Sequence, residues 1–164
     1  MTTEIAMYAP VARWLRSFLE SRFPRAKKII VEPTHQTVLW RWIEYNKLGA
    51  LFPEYLAYDI KIDVLGCVLH EKLQRLVFIE CKITPISLKD ISQLLGYSKV
   101  ANPYRSIIIS PAGVSAPVNR LLNQFKRYDV LEYDGSDNRI RVAKWDSRRN
   151  AIPADSIIPP GEHL

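Results

Sequence analysis

Residues 79–83 read Ile-Glu-Cys-Lys-Ile, an apolar run that holds a carboxylate and an ammonium two positions apart. Side chains alternate across a strand, so Glu80 and Lys82 share one face while Cys81 points to the other. Charged side chains are seldom fully buried unless they are paired or bind an ion. Two chemistries fit: a plain ion pair at a strand edge, or a metal-dependent active site. The second needs another carboxylate, and "YDIKID" at 58–63 supplies Asp63. A hairpin turn centred on Lys72 and Leu73 sets Asp63 opposite Lys82 and Leu65 opposite Glu80. Asp63 and Glu80 are then diagonal neighbours with Cβ atoms roughly 7–8 Å apart. A slip of one residue would move Asp63 to the other face. Asp59, four residues earlier on the same face, is a rival; Asp63 is preferred because its register lies nearer Glu80.

Two carboxylates and a lysine held on rigid strand ends suit phosphodiester hydrolysis. Mg²⁺, a hard cation, takes one or two protein carboxylates plus water and phosphate oxygens, and Mn²⁺ can substitute. Such an ion polarises the phosphoryl group and lowers the pKa of a bound water. A neighbouring lysine stabilises charge on the phosphate or orients the attacking water.

Asp63, then Glu80-Cys81-Lys82 on the next strand, then Gln93 and Tyr97 in "QLLGY" on the following helix, resemble the PD-(D/E)XK nuclease superfamily. The order is similar to that of RecB-like nucleases and archaeal Holliday-junction resolvases. The resemblance covers about residues 58–110, and it departs from the family pattern at Ile62, which stands before Asp63 in place of a proline that many members also lack. It implies a restriction-endonuclease-like α/β fold, a mixed β-sheet core with helices on both faces. It also implies Asp63 and Glu80 as metal ligands with the Cys81 carbonyl beside them, Lys82 positioning water or the transition state, Gln93 orienting the site and Tyr97 supporting it. Glu4 on the first helix is a further metal-ligand candidate, against its plain reading as a first-turn carboxylate favoured by the helix dipole. The implied partner is DNA, duplex or branched, and a homodimer would offer two sites to two strands. The chemistry is shared by junction resolvases, restriction enzymes, repair nucleases and transposon- or virus-associated nucleases. A catalytically silent nuclease-like subunit, serving in DNA binding or assembly, is the rival from another class.

The elements that must position these residues follow from periodicity. A helix spans about 4–22, capped by Thr3, with Tyr8, Val11, Leu15, Phe18 and Leu19 inward. A strand at 27–33 stops at Pro33. Thr34 is a candidate cap for a helix over the aromatic stretch that follows, which also suits a strand. Two β-rich runs around "HEKLQ" make the hairpin. Ser87 and Asp90 begin a helix with Leu88, Ile91, Leu94 and Leu95 on one face. "YRSIIIS" is a buried strand. The stretch 115–128 is a helix with Pro117 in its first turn and Val118, Leu121, Leu122 and Phe125 buried. A closing hairpin turns on "DGSDN".

With 164 residues, 48% hydrophobic and 24% charged, the chain reads as one ordinary domain over 1–150 and a loosely held proline-rich tail over 151–164. No apolar run is long enough to span a bilayer, and the N-terminus lacks a signal-peptide layout. Cys67 and Cys81 sit in apolar runs and read as buried thiols, so an intracellular, cytoplasmic location is expected. The net charge of +6 leans toward a polyanion. Lys27, Lys28, Lys89, Arg120, Lys126, Arg127, Arg148 and Arg149 are candidate phosphate contacts, against ordinary solvated charge. His35, His70 and His163 read as exposed loop residues, and no zinc-ligand spacing occurs. Trp40, Trp42 and Tyr45 read as packing residues rather than base-stacking ones.

Overall fold

The computed structural model describes residues 3–135 and 138–164. It is an α/β fold with one five-stranded mixed sheet in the order β1-β2-β3-β4-β5 and helices on both faces. The strands are β1 (Lys28–Pro33), β2 (Val64–Leu69), β3 (Gln74–Cys81), β4 (Arg105–Ser110) and β5 (Arg141–Lys144). The first three pair antiparallel and the last three parallel. The C-terminal ends of β3, β4 and β5 therefore share one edge. No helix among the described residues is long and apolar enough to cross a membrane.

Helix α1 (Glu4–Arg22) begins as expected at Thr3, whose hydroxyl accepts the Ala6 N–H. Its inward stripe of Met7, Tyr8, Val11, Leu15 and Leu19 packs on Val64, Val68, Val77 and Ile79. Gly66 permits that approach. A Cβ there would lie 3.0 Å from Leu19 Cδ1 and 3.2 Å from Leu15 Cδ2. The opposite face of the sheet, including Leu65, Cys67, Leu76, Phe78 and Ile108, packs on α2 (Leu39–Tyr45) and α3 (Leu88–Ala101). Ser87 and Asp90 form the reciprocal capping box that starts α3, and Asn102 closes it in the left-handed region at φ 46°. A buried Ser98–Ser106 hydroxyl contact of 2.7 Å ties α3 to β4.

Several expectations fail for local reasons. The hairpin turn lies one residue earlier, on Glu71 and Lys72, with the His70 N–H bonded to Leu73 O. Val64 therefore faces Ile79 and Leu65 faces Phe78. Thr34 caps no helix, because its hydroxyl donates to Ile62 O at 2.7 Å; α2 starts after Val38. Leu88 is the first helical residue of α3 and stays exposed. Helix α4 (Ala116–Asn119) widens into a π turn over Arg120–Gln124, which rotates Phe125 off the buried stripe and leaves it 70% exposed. The closing hairpin reduces to a bridge between Glu132 and Arg139, since β5 pairs with β4 instead. Ser136 and Asp137 of the expected turn lie outside the described residues. The tail is docked rather than loose. Ile158 exchanges both backbone bonds with Val142, Glu162 pairs with buried Arg141 at 2.6 Å, and Ile157 and Leu164 are buried.

Replacing Gly66 by Val overpacks the seam between α1 and the sheet. The expected cost is about 1–3 kcal/mol, a fall in Tm of about 3–10 °C, read by thermal denaturation. An unchanged Tm would mean that α1 lifts off the sheet freely.

Candidate active site

Asp63, Glu80 and Lys82 come together where β2 begins and β3 ends. Asp63 directly precedes the first pair of the β2–β3 ladder, Val64 with Ile79, so the same register continued by one residue sets it against Glu80. The expected diagonal placement is thus displaced by two residues, and the shared face is kept. Asp63 Oδ2 accepts the Cys81 N–H at 2.8 Å. Both carboxylates are nearly dry, Asp63 at 8% and Glu80 at 9% exposure. Lys82 Nζ donates to Glu80 Oε1 at 2.9 Å and lies 3.9 Å from Glu4 Oε1. Glu4 reaches the cluster because α1 lies across the sheet with its first turn at this end.

Tyr8, one helical turn after Glu4, donates its hydroxyl to Glu4 Oε1 at 3.4 Å. Its ring packs against His35 with centroids 4.6 Å apart. His35 is half-buried rather than exposed, and its Nδ1 is buried without a hydrogen-bond partner. Sequence reasoning missed both residues. For Tyr8 a signal existed, since a buried phenol needs a polar partner and Glu4 stands four positions away. For His35 there was none, because its neighbours are set by tertiary packing alone.

Charge in this space is unbalanced: Glu4, Asp63 and Glu80 face the single ammonium of Lys82. Burial, and then the Asp63 charge, push Glu80 from its ordinary 4.5 up to about 7, although the Lys82 hydrogen bond works in the other direction. Burial followed by Asp63 also raises the Tyr8 phenol far above its usual range. For Lys82, burial favours the neutral form, but the hydrogen bond and charge of Glu80 outweigh it and raise its pKa. Burial raises the Cys81 thiol well above normal, with Asp63 and Glu80 adding to it, so the group Cys81 could offer a metal is its carbonyl. That carbonyl faces the Asp63 edge of β3, because an extended residue directs its N–H and C=O to the same neighbour.

Among the described residues, no group of three or more His, Cys, Asp or Glu side chains is gathered as a metal cage. Mg²⁺ does not require one: it is held by one or two carboxylates, with water and substrate phosphates filling the rest. The excess of buried carboxylate over ammonium fits a cation of that kind.

The other candidates form no hydrogen bond or ion pair with Asp63, Glu80 or Lys82 among the described residues. Gln93 donates to Tyr97 OH at 3.0 Å on the exposed side of α3, and neither bonds to Asp63, Glu80 or Lys82. Asp59 is exposed and lines a separate groove with Gln36 and Lys61. Lys89 is exposed in the first turn of α3. Lys27 and Lys28 sit at the opposite end of the sheet, where Lys28 faces Leu69. Lys126 is exposed, and Arg127 is engaged with Asp129 at 2.8 Å. Trp42 is buried and donates to Glu32 Oε2 at 2.6 Å, whereas Tyr45 is 85% exposed. His70 is half-buried against Phe23, and His163 is exposed.

No family model and no curated protein matches the chain. Among solved structures, a protein of unknown function, AF1548, aligns with 93% of this chain at 11% identity and a TM-score of 0.40. The chain spans 62% of the length of that structure.

Glu80 yields a pH test. Its folded value lies above its ordinary one, so its contribution to stability is fully present below about pH 4.5 and lost as pH rises through about 7. Ionisation by pH 8 costs on the order of 3 kcal/mol. In EDTA, wild type should lose about 5–10 °C more in Tm between pH 5 and pH 8 than Glu80→Gln does. Parallel Tm–pH curves for the two proteins would remove Glu80 as the source.

Proposed function

We propose that this protein is a Mg²⁺-dependent nuclease of the PD-(D/E)XK kind that hydrolyses phosphodiester bonds in DNA. The observation that carries the reading is the meeting of Asp63, Glu80 and Lys82 in one nearly dry space at a strand end, with carboxylate in excess. Asp63 and Glu80 would hold the cation, with the Cys81 carbonyl and Glu4 as further oxygens. Bound Mg²⁺ supplies Lewis-acid polarisation of the phosphate and a water of lowered pKa.

The chain's own groups do the rest. The Cys81 N–H fixes the Asp63 carboxylate and so fixes where its charge lies. Lys82, pinned by Glu80 and kept charged by three carboxylates, presents its ammonium to a phosphate oxygen or to the attacking water. Glu80, pushed up to about 7 by burial and Asp63, would give up its proton to a bound cation, so cation affinity would rise with pH. The free, buried thiols of Cys67 and Cys81 suit a reducing compartment, and we take the protein to work inside the cell. Pairing of two copies would present two such sites to the two strands of a duplex.

One observation favours the silent-subunit reading: Gln93 and Tyr97 bond to each other and to none of the acidic groups. The test is cleavage of supercoiled, linear and four-way-junction DNA in Mg²⁺ or Mn²⁺ against EDTA. Wild type should cut only with metal, and Glu80→Ala and Lys82→Ala should each lose at least about 10²-fold in rate. Cutting that persists in EDTA or in Glu80→Ala would sink the proposal. Salt-sensitive DNA binding without cutting, unchanged by Glu80→Ala, would select the silent subunit.

A further inference from the structure

The acidic cluster ends β3, and two strands away on the same edge the sheet ends in a basic groove. This groove, about 680 Å³ in volume, is lined by Pro111, Lys144, Arg148, Arg149, Asp155 and Ser156 among others. We infer that it carries the DNA strand that runs into the acidic site, with Lys144, Arg148 and Arg149 holding its phosphates. The inference rests on the nuclease reading for the neighbouring cluster and adds to it the path of the substrate.

Three observations support it. The first is position. Cys81 pairs with Ile109, and Ser110 with Lys144, so the ends of β3, β4 and β5 stand side by side. At about 4.8 Å per strand, β5, where the groove begins, stands roughly 10 Å from β3, which carries Glu80, about three nucleotide rises along one strand of a duplex.

The second is construction. Residues 146–151 form a closed turn in which Asp146 and Ala151 exchange backbone bonds, and Asp146 Oδ1 accepts the N–H groups of Arg148 at 2.9 Å and Arg149 at 3.1 Å. Asp146 is thereby occupied in building the turn. Its carboxyl is held below the usual range, first by the Arg149 N–H bond. The far wall is the docked tail, where Ser156 Oγ accepts the Lys144 N–H at 3.2 Å. The Arg141–Glu162 pair and the Ile158 bridge that fasten the tail therefore also shape the groove.

The third is available charge. The Arg148 guanidinium and the Lys144 ammonium form no ion pair among the described residues, and the Arg149 side chain, 3.7 Å from Asp146, is 81% exposed. Asp155 is the acidic group left on the rim. The basic cluster at Lys27 and Lys28 is at the other end of the sheet and has no part in this path.

The test is fluorescence anisotropy of a fluorescein-labelled 20-base-pair DNA duplex in EDTA, across a series of NaCl concentrations. Combined Lys144→Ala, Arg148→Ala and Arg149→Ala should weaken binding about 10- to 100-fold and reduce the log–log salt slope by about 2–3. Lys27→Ala with Lys28→Ala should stay within about twofold of wild type, and Arg148→Lys with Arg149→Lys, which keeps the charge, within about threefold. A circular dichroism melt confirms that each variant is folded, and the lysine variant serves as the reference if the triple variant is not. Wild-type binding by the folded triple variant, or an equal loss from the Lys27 and Lys28 pair, overturns the inference. If wild type cuts DNA and the triple variant binds normally, the groove inference alone falls. If wild type cuts nothing and the triple variant loses binding, the groove stands and the nuclease reading falls.

Discussion

Asp63 accepts the N–H of Cys81 at the point where the β2–β3 ladder stops. One residue further, a regular ladder would pair backbone with backbone. Here the chain at 62–63 has turned toward Thr34 instead, whose N–H and hydroxyl bind the carbonyls of Asp63 and Ile62. The gap that opens between the strands is filled by a carboxylate, and the bond that fills it is charge-assisted. Glu80 then stands beside a fixed negative charge in a space with little water, so its pKa rises. Lys82 is the counter-charge that this arrangement demands, and Glu4 and Tyr8 arrive from the helix above. Each feature of the cluster follows from one backbone N–H satisfied by a side chain rather than by a strand.

Helix α1 holds the other half of the site, and its height above the sheet is set by a missing methyl group. With Gly66 beneath Leu15 and Leu19, the helix settles close enough for its first turn to reach the strand ends. Tyr8 links that turn to the acidic cluster, and His35 backs the Tyr8 ring. The stability of the layer and the geometry of the cluster are therefore one problem. A change that lifts α1 would displace Glu4 and Tyr8 without touching a charged residue.

Most of the fold was legible from alternation and capping, and so was the face on which Glu80, Lys82 and Asp63 lie. The register was not. "HEKLQ" holds no glycine or asparagine to fix a two-residue turn, so the sequence does not distinguish a turn on Lys72 and Leu73 from the observed one on Glu71 and Lys72. The difference between them shifts each pair by two, and a strand repeats every two residues, so the face survived where an odd shift would have inverted it. The contacts that escaped are non-local. Nothing near Glu162 announces a buried Arg141, nothing near His35 announces Tyr8, and no spacing rule shows where α4 gives way to a π turn and turns Phe125 outward. Gln93 and Tyr97 are the reverse case: their spacing does place them on one helix face, yet Gln93 is exposed and bonds to the Tyr97 hydroxyl, while the Tyr97 ring packs against the core.

A net charge of +6 says little about where a polyanion would lie, because the basic clusters in the sequence scatter to different ends of the sheet. Strand direction sorts them. Antiparallel pairing returns β1 to the hairpin end and takes Lys27 and Lys28 with it. Parallel pairing of β3, β4 and β5 keeps the carboxylates of Asp63 and Glu80 on one edge with Lys144, Arg148 and Arg149. That edge is acidic where a bond would be cut and basic where a chain would be held. An acidic patch alone would repel a phosphate backbone, and a basic groove alone would bind it without acting on it. On the proposed reading, their separation by two strand spacings would let one edge do both, and the docked tail, which composition alone marks as loosely held, is what gives the basic groove its far wall.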